Sequence, residues 1–350
     1  MSTARTLRIG TRGSALALWQ ARHVQTLLGA QAGAPPVELV RIRTEGDVRT
    51  DVPLWSVGGR AFFTKEIDRA LLAGEVDIAV HSLKDLSTVL DEGIRLTAVL
   101  RREDPRDALV SREGVPLSGL PAGARVGTSS LRRRAFLARA RPDLQQLELR
   151  GNVPTRIERV RHGDYDAIIL ASAGLKRLGL EGNICEHLDP QVFPPAVSQG
   201  IIGVCSRTGD EETLRWLRNL DDRAARLASS AERALLRRLE GGCQVPLGAL
   251  ASLSGDSLHL QAIVCALDGS EALSASASTA LSASPSTALS ATASTVLSAS
   301  PSTALSASAS TADLAGAVQL GERLADELLS RGAARLIAHE RDLRREVDAP

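Results

Sequence analysis

Within five residues His81, Ser82, Lys84 and Asp85 gather an imidazole, a hydroxyl, an ammonium and a carboxylate. They follow Ile78-Ala79-Val80, a short apolar run of the kind found in strands covered on both faces. In open α/β sheets, ligands sit beyond the carboxyl ends of strands, where this cluster falls. A solvated loop with a neighbouring Lys–Asp pair would look the same in isolation. Three further stretches shift the balance: Thr11-Arg12-Gly13-Ser14, Thr128-Ser129-Ser130-Leu131-Arg132-Arg133, and Arg150-Gly151-Asn152-Val153-Pro154-Thr155-Arg156. Each reads as a strand-to-helix junction with free backbone N–H groups, a hydroxyl and an arginine. A helix start attracts anions through its dipole and orphan donors. Arginine adds a planar fork that grips carboxylates through two hydrogen bonds. Arginine at a helix start is mildly unfavourable for the helix itself, so together the junctions point to a ligand bearing several carboxylates or phosphates.

Cys243 follows Gly241-Gly242 and precedes Gln244-Val245-Pro246. Buried inert cysteines normally lie in apolar strands, as Cys265 does. A cysteine after two glycines is accessible and free to react. Metal chemistry finds no support: the four cysteines show no C-x-x-C spacing, and His23, His81, His162, His187, His259 and His339 have no ligand spacing. Gly58-Gly59 matches neither a phosphate loop nor a dinucleotide fingerprint.

These groups need a scaffold, and the chain alternates strand and helix to supply one. Strands are expected at 7–10, 37–42, 76–80 and 95–100, with helices after Ser14 and over about 64–72. Near Glu103-Asp104-Pro105-Arg106 the chain crosses into a second α/β unit, with strand residues 125–127, 146–150 and 167–171. Phe193-Pro194-Pro195-Ala196 reads as a return crossover, and 201–205 as a strand back in the first unit. Two lobes joined by two crossovers form a cleft that can open and close. After Asp221, a helix striped by Ala224, Leu227, Ala231, Leu235 and Leu239 leads to two strands at about 247–253 and 257–266. Residues 272–311 are five eight-residue copies of an Ala-Leu-Ser-Ala-Ser-Ala/Pro-Ser-Thr unit, read as a flexible or irregular insertion, with an extended strand-like tract as the alternative. A last helix is expected over about 314–329, with a loose tail after it.

Composition narrows the function classes. Net charge is +1, which gives no global pull towards nucleic acid or membrane. Aromatics are only 2%, too few for a base-stacking platform. The N-terminus carries no long apolar stretch and no run of 18 apolar residues occurs, so a soluble cytoplasmic protein with reduced thiols is expected.

Six ordered motifs resemble one family: Arg12-Gly13-Ser14-Ala15-Leu16-Ala17-Leu18-Trp19-Gln20; His81-Ser82-Leu83-Lys84-Asp85; Arg102-Glu103-Asp104-Pro105-Arg106-Asp107; Gly127-Thr128-Ser129-Ser130-Leu131-Arg132-Arg133; Leu149-Arg150-Gly151-Asn152; and Glu240-Gly241-Gly242-Cys243-Gln244-Val245-Pro246. The family is porphobilinogen deaminase, or hydroxymethylbilane synthase, and the likeness runs from about residue 7 to 266. The resemblance implies an α/β fold of three domains. The first two are periplasmic-binding-protein-like with a cleft between them (1–102 plus 198–220, and 103–197). The third, 221–350, is a small α+β domain carrying the repeat.

It further implies a transferase that joins four porphobilinogen units head to tail, loses ammonia each time, and releases a linear tetrapyrrole by hydrolysis. A dipyrromethane primer would hang by a thioether from Cys243. Asp85 would be catalytic, steadying the cationic azafulvene formed as ammonia leaves. Ser82, Lys84, Asp85, Thr128, Ser129, Ser130, Arg132, Arg133 and Arg150 would hold the primer. Arg12, Ser14, Arg150, Arg156, Ala171, Arg177 and Gln199 would bind substrate, and Gly58, Gly59 and Arg60 would form a lid. The implied partner is porphobilinogen alone, with no metal, nucleic acid or membrane, and the implied state is a monomer. The sequence departs from the family pattern at Arg60-Ala61, Leu86-Ser87, Pro154, Ser198 and Cys205-Ser206. The rival reading is a non-catalytic anion-binding protein of the same two-lobed form, which would need neither Cys243 nor Asp85.

Overall fold

A computed structural model of the chain describes residues 5–44, 64–239, 245–281 and 309–337. The first lobe opens with β1 (Leu7–Thr11), α1 (Ala15–Gly29) and β2 (Val37–Arg41), then α2 (Lys65–Leu72), β3 (Ile78–Ser82) and β4 (Ile94–Val99). The second lobe contains β5 (Asp107–Ser111), β6 (Arg125–Gly127), α3 (Leu131–Ala140), β7 (Gln145–Leu147), α4 (Val153–Arg161), β8 (Ala167–Ala171), α5 (Ser172–Arg177) and β9 (Glu186–His187). The chain returns to the first lobe as β10 (Ile202–Arg207) and α6 (Glu211–Leu217). The third domain is α7 (Arg223–Arg238), β11 (Leu247–Ser254), β12 (Ser257–Cys265), β13 (Ala272–Ala280) and α8 (Thr311–Ser330).

The two lobes share a plan. The first sheet runs β2-β1-β3-β10-β4 and the second β7-β6-β8-β5-β9. In the first, β2, β1 and β3 are parallel and β10 runs against them; in the second, β7, β6 and β8 are parallel and β5 runs against them. Helices cover both faces, so the strands are apolar along nearly their whole length: Ile78, Ala79 and Val80 are all buried. All the junctions singled out above follow the carboxyl ends of parallel strands. The helices begin there because a side chain caps each one: Ser14 accepts from Ala17 N, Ser130 from Arg133 N, and Asn152 from Thr155 N. Pro154 sits in the first turn of α4, where no backbone N–H is lost to the helix.

The crossovers carry the tightest backbone. Ser198 has φ +63°, alone among the described non-glycine residues in the left-handed region. At Gly200 (φ +91°) an added Cβ would lie 2.3 Å from Glu103 O, so the two crossing segments touch backbone to backbone. Both crossovers are tied to the third domain by Glu232 of α7, which is fully buried. Its carboxylate accepts from Arg102 Nη1 at 2.6 Å, from Ser198 N at 2.6 Å and from Ala251 N at 2.7 Å.

The third domain departs from expectation in two places. Ala224 faces solvent and Ala225 is buried in its stead, on a stripe that widens to take in Ala228 and Ala234. The start of the repeat is an ordered strand, since β13 pairs with β12 from Cys265↔Ala272 to Ser257↔Ala280. A flexible insertion over the whole of 272–311 is thus overturned for its first copy. Alternation decides it: Leu273, Ala275 and Ala277 pack on the core while the serines face out. Residues 282–308 lie outside the described residues, and 309–311 lead into α8. Strand 146–150 is also shorter than expected, ending at Leu147, because the Ser129 side chain takes over the Leu149 backbone: Ser129 Oγ donates to Leu149 O and accepts from Leu149 N.

Candidate functional site

The floor of the cleft is built around Asp107, the first residue of β5, which is wholly buried. Arg132 Nη2 donates to its Oδ2 at 2.6 Å, Arg133 Nη2 to its Oδ1 at 2.7 Å, and Gln199 Nε2 to Oδ1 at 3.0 Å. Two guanidinium neighbours hold this carboxyl far below the usual carboxylate range, overcoming a burial that alone would raise it. Arg132 also donates to Pro194 O at 2.6 Å, and Arg133 to Ile169 O at 2.9 Å. The Nε of Arg132 is buried and has no hydrogen-bond partner.

Gln199 links this hub to the first lobe. Its Nε2 also donates to Pro105 O at 2.8 Å, which fixes the amide, and its Oε1 accepts from Lys84 Nζ at 3.2 Å. Burial lowers the Lys84 ammonium to about 8, opposed by Asp85 and Asp107 and reinforced by Arg133 and Arg132. Those four groups therefore lie within electrostatic reach of one amine. Asp85 closes the short 3₁₀ turn Leu83–Asp85 that follows β3, and its side chain is exposed. Leu83 N donates to Ile201 O at 3.0 Å, so the turn is pinned to the second crossover.

Around this centre the other expected residues take their places. Ser82 Oγ accepts from Gln20 Nε2 at 2.8 Å. Thr128 is buried and its hydroxyl accepts from Ser130 N at 3.3 Å. Arg156 donates from Nε to Gly151 O at 2.7 Å; burial and the like charges of Arg133 and Arg150 lower it to about 10. Arg177 donates to Gly200 O at 2.6 Å, lies 5.7 Å above the Trp19 ring, and is lowered to about 10 by burial. Ala171 ends β8 and leads directly into α5. Arg12 and Ser14 sit at the mouth between β1 and α1. Cys243 and the proposed lid at Gly58, Gly59 and Arg60 lie outside the described residues. The helix leading towards Cys243 is nevertheless tied to the site loop: Arg233 of α7 donates to Leu86 O at 3.0 Å and to Ser87 O.

Three residues of this arrangement were not picked out from the sequence as site residues: Asp107, Gln20 and Glu232. A buried carboxylate that organises two arginines has no local signature, because its partners are 25 and 26 residues away. Chemically, the site offers a set of cations, of which Arg132 and Arg133 are already paired with Asp107, beside the exposed carboxylate of Asp85. Among the described residues no group of His, Cys, Asp and Glu could hold a metal ion.

Comparison with known proteins agrees with this picture. Residues 7–215 match the family model "porphobilinogen deaminase, dipyromethane cofactor binding domain", and residues 226–295 match its C-terminal domain. The porphobilinogen deaminase of Roseiflexus sp. (strain RS-1) is 54% identical over 264 residues, covering 75% of this chain and 87% of that protein. That of Syntrophomonas wolfei is 50% identical over 273 residues, covering 78% of this chain and 89% of that protein. Among solved structures, the periplasmic VFT2 domain of Bordetella pertussis BvgS gives a TM-score of 0.35 at 17% identity over 61% of this chain and 85% of that one, too distant to carry an argument.

Proposed function

The chain belongs to the porphobilinogen deaminase family, and from that membership we propose how its residues share the work of this transferase. The observation that carries the assignment is the hydrogen-bonded chain from Lys84 through Gln199 and Asp107 to Arg132 and Arg133, with Asp85 next to Lys84 in the same turn. Each porphobilinogen brings an acetate and a propionate, so primer and growing chain are polyanions. Ser82, Lys84, Thr128, Ser129, Ser130, Arg132, Arg133 and Arg150 are assigned to the primer, and Arg12, Ser14, Arg150, Arg156, Ala171, Arg177 and Gln199 to the incoming substrate. Carboxylates arriving there would relieve the mutual repulsion of Arg133, Arg150 and Arg156 and give the orphan Nε of Arg132 an acceptor. The donor set thus fits a dipyrromethane held by Cys243. When bound, that group supplies the pyrrole carbon to which each new unit is joined.

Asp85 is assigned the catalytic role. Its exposed carboxylate stands where positive charge grows on the substrate as ammonia departs, and a fixed negative charge there lowers the barrier. Lys84 beside it, with an ammonium lowered to about 8, holds a ligand carboxylate while remaining mostly protonated near neutrality. The lobe division at 102/103 and 197/198, the lid at Gly58–Arg60, a monomeric state and a cytoplasmic location complete the proposal. No helix among the described residues is long and apolar enough to cross a membrane.

Intact-protein mass spectrometry tests it. Protein from cells able to make porphobilinogen should exceed its sequence mass by two pyrrole units, carried on Cys243. Asp85→Asn should keep that added mass and lose turnover, with kcat falling at least ~100-fold. A bare mass would favour a simple anion binder, and wild-type kcat in Asp85→Asn would remove Asp85 from the mechanism.

A further inference from the structure

The two lobes repeat each other in detail as well as in plan. At the foot of β1, Arg8 N and Nε each donate to Asp77 Oδ2 at 3.0 Å, and Arg8 Nη2 donates to Gly74 O at 2.7 Å. At the foot of β6, Arg125 N and Nε donate to Asp166 Oδ2 at 2.8 and 3.3 Å, and Arg125 Nη2 to Gly163 O at 2.8 Å. Further along these strands, Gly10 and Gly127 make room for the residue that precedes each aspartate. An added Cβ would lie 3.1 Å from Val76 Cγ2 in one lobe and 2.8 Å from Tyr165 Cδ1 in the other. Arg8 therefore corresponds to Arg125, and Thr11 to Thr128.

Register carries the match to the edge strands. Arg8 lies opposite Glu38 on β2, and Arg125 opposite Gln145 on β7. Counting on from each, Ile42 corresponds to Leu149 and Arg43 to Arg150. Both arginines follow the carboxyl end of a strand, at equivalent ends of the two sheets. Val40 and Ile42 pack towards α2, and Leu147 and Leu149 towards α4. Alternation then sends Arg43 and Arg150 to the opposite faces, which α1 and α3 cover. Ile42 N donates to Thr11 O at 2.8 Å, which sets Arg43 beside the Arg12-Gly13 turn at the start of α1. Arg43 is exposed and forms no ion pair with any described residue.

We propose that Arg43 is a further substrate-binding residue, joining Arg12 and Ser14 in taking a carboxylate of the incoming porphobilinogen on the first-lobe wall. This is the counterpart of the role assigned to Arg150 in the second lobe, and it rests on the reading of the cleft given above. Two guanidinium-bearing residues at one corner suit a carboxylate, which accepts from two donors at once. The same strand supplies the comparison. Arg41, one pleat before Arg43, is also exposed and without an ion pair among the described residues, but it lies within β2 and its counterpart is Glu148, which is not a cation.

Steady-state kinetics on the full-length protein carrying its primer test this. Arg43→Ala should keep the mass of two pyrrole units on Cys243, raise KM for porphobilinogen about fivefold, and leave kcat within about twofold of wild type. Arg43→Lys, which keeps the charge and loses the fork, should bring KM back to within about twofold. Arg41→Ala should leave both constants at wild-type values. An unchanged KM in Arg43→Ala refutes the assignment. So does an equal rise in Arg41→Ala, which would make the effect one of overall charge, and so does a fall in kcat without a rise in KM. If the wild type itself lacks the added mass and turnover, the reading of the cleft fails and this inference with it; a loaded, active wild type matched by Arg43→Ala removes Arg43 alone.

Discussion

Replacing Asp107 by asparagine keeps the shape of the hub and removes its charge. In the native protein the carboxylate takes hydrogen bonds from Arg132 Nη2, Arg133 Nε and Nη2, and Gln199 Nε2, at 2.6 to 3.1 Å. An amide can accept at one oxygen only, and its NH2 must then face a guanidinium. Two buried cations are left without a counter-charge. Removing one partner of a buried ion pair costs about 3–5 kcal/mol, and about 4 kcal/mol is the expected loss here, since the replacement is isosteric and opens no cavity. Urea unfolding followed by circular dichroism at pH 7.5 measures it. The pH dependence gives a second check. Asp107's folded-state value lies well below its unfolded one, so its contribution is complete above about pH 4 and fades as pH falls towards the folded value. The gap between wild type and Asp107→Asn should therefore be constant above about pH 5 and narrow steadily as pH falls below about 4. A carboxylated ligand in the cleft should restore part of the loss, by supplying the missing negative charge and binding only the folded state. A variant within ~1 kcal/mol of wild type at pH 7.5, or a gap that does not narrow in acid, would show that the arginines do not depend on Asp107.

Ser198→Gly should stabilise the protein by about 1–2 kcal/mol in the same urea assay, because φ +63° strains any residue with a Cβ and the Ser198 hydroxyl is buried without a partner; no gain would mean the crossover relaxes around serine. Burial holds the Asp68 carboxyl up to about 6, so the cost to folding grows from about pH 4 and is complete above about pH 6. Asp68→Asn should add about 2 kcal/mol at pH 7.5 and nothing below about pH 4; a gain that persists unchanged in acid would contradict the burial argument.

How much could be read from the chain follows from the range of each interaction. The strands at 7–11, 78–82 and 167–171 announce themselves through apolar runs, and the helix starts through Ser14, Ser130 and Asn152, because these are contacts between neighbours in sequence; β5 at 107–111 was not foreseen. Ser198 was visible too, as a residue where the resembled family has glycine, and the backbone there does adopt a glycine conformation. The repeat was harder. Leucine, alanine and serine in alternation suit either an irregular tract or a half-buried strand, and only the apolar face of β12 and α8 decides between them.

The hub at Asp107 was out of reach for a deeper reason, and it changes what the arginines mean. A count of arginines near a cleft overstates the charge available to a ligand, because some of that charge is already neutralised by the protein. Arg132 and Arg133 both give part of their forks to one carboxylate, and Gln199 divides its amide between that carboxylate and Lys84. What remains for an incoming anion is the orphan Nε of Arg132, the lowered ammonium of Lys84 and the Arg156 guanidinium, itself crowded by Arg133. The first two are oriented by Asp107 and Gln199 before any ligand arrives, so little side-chain entropy is lost on binding. That pre-setting requires a buried anion joining β5, α3 and the second crossover, and only the folded chain brings those three together.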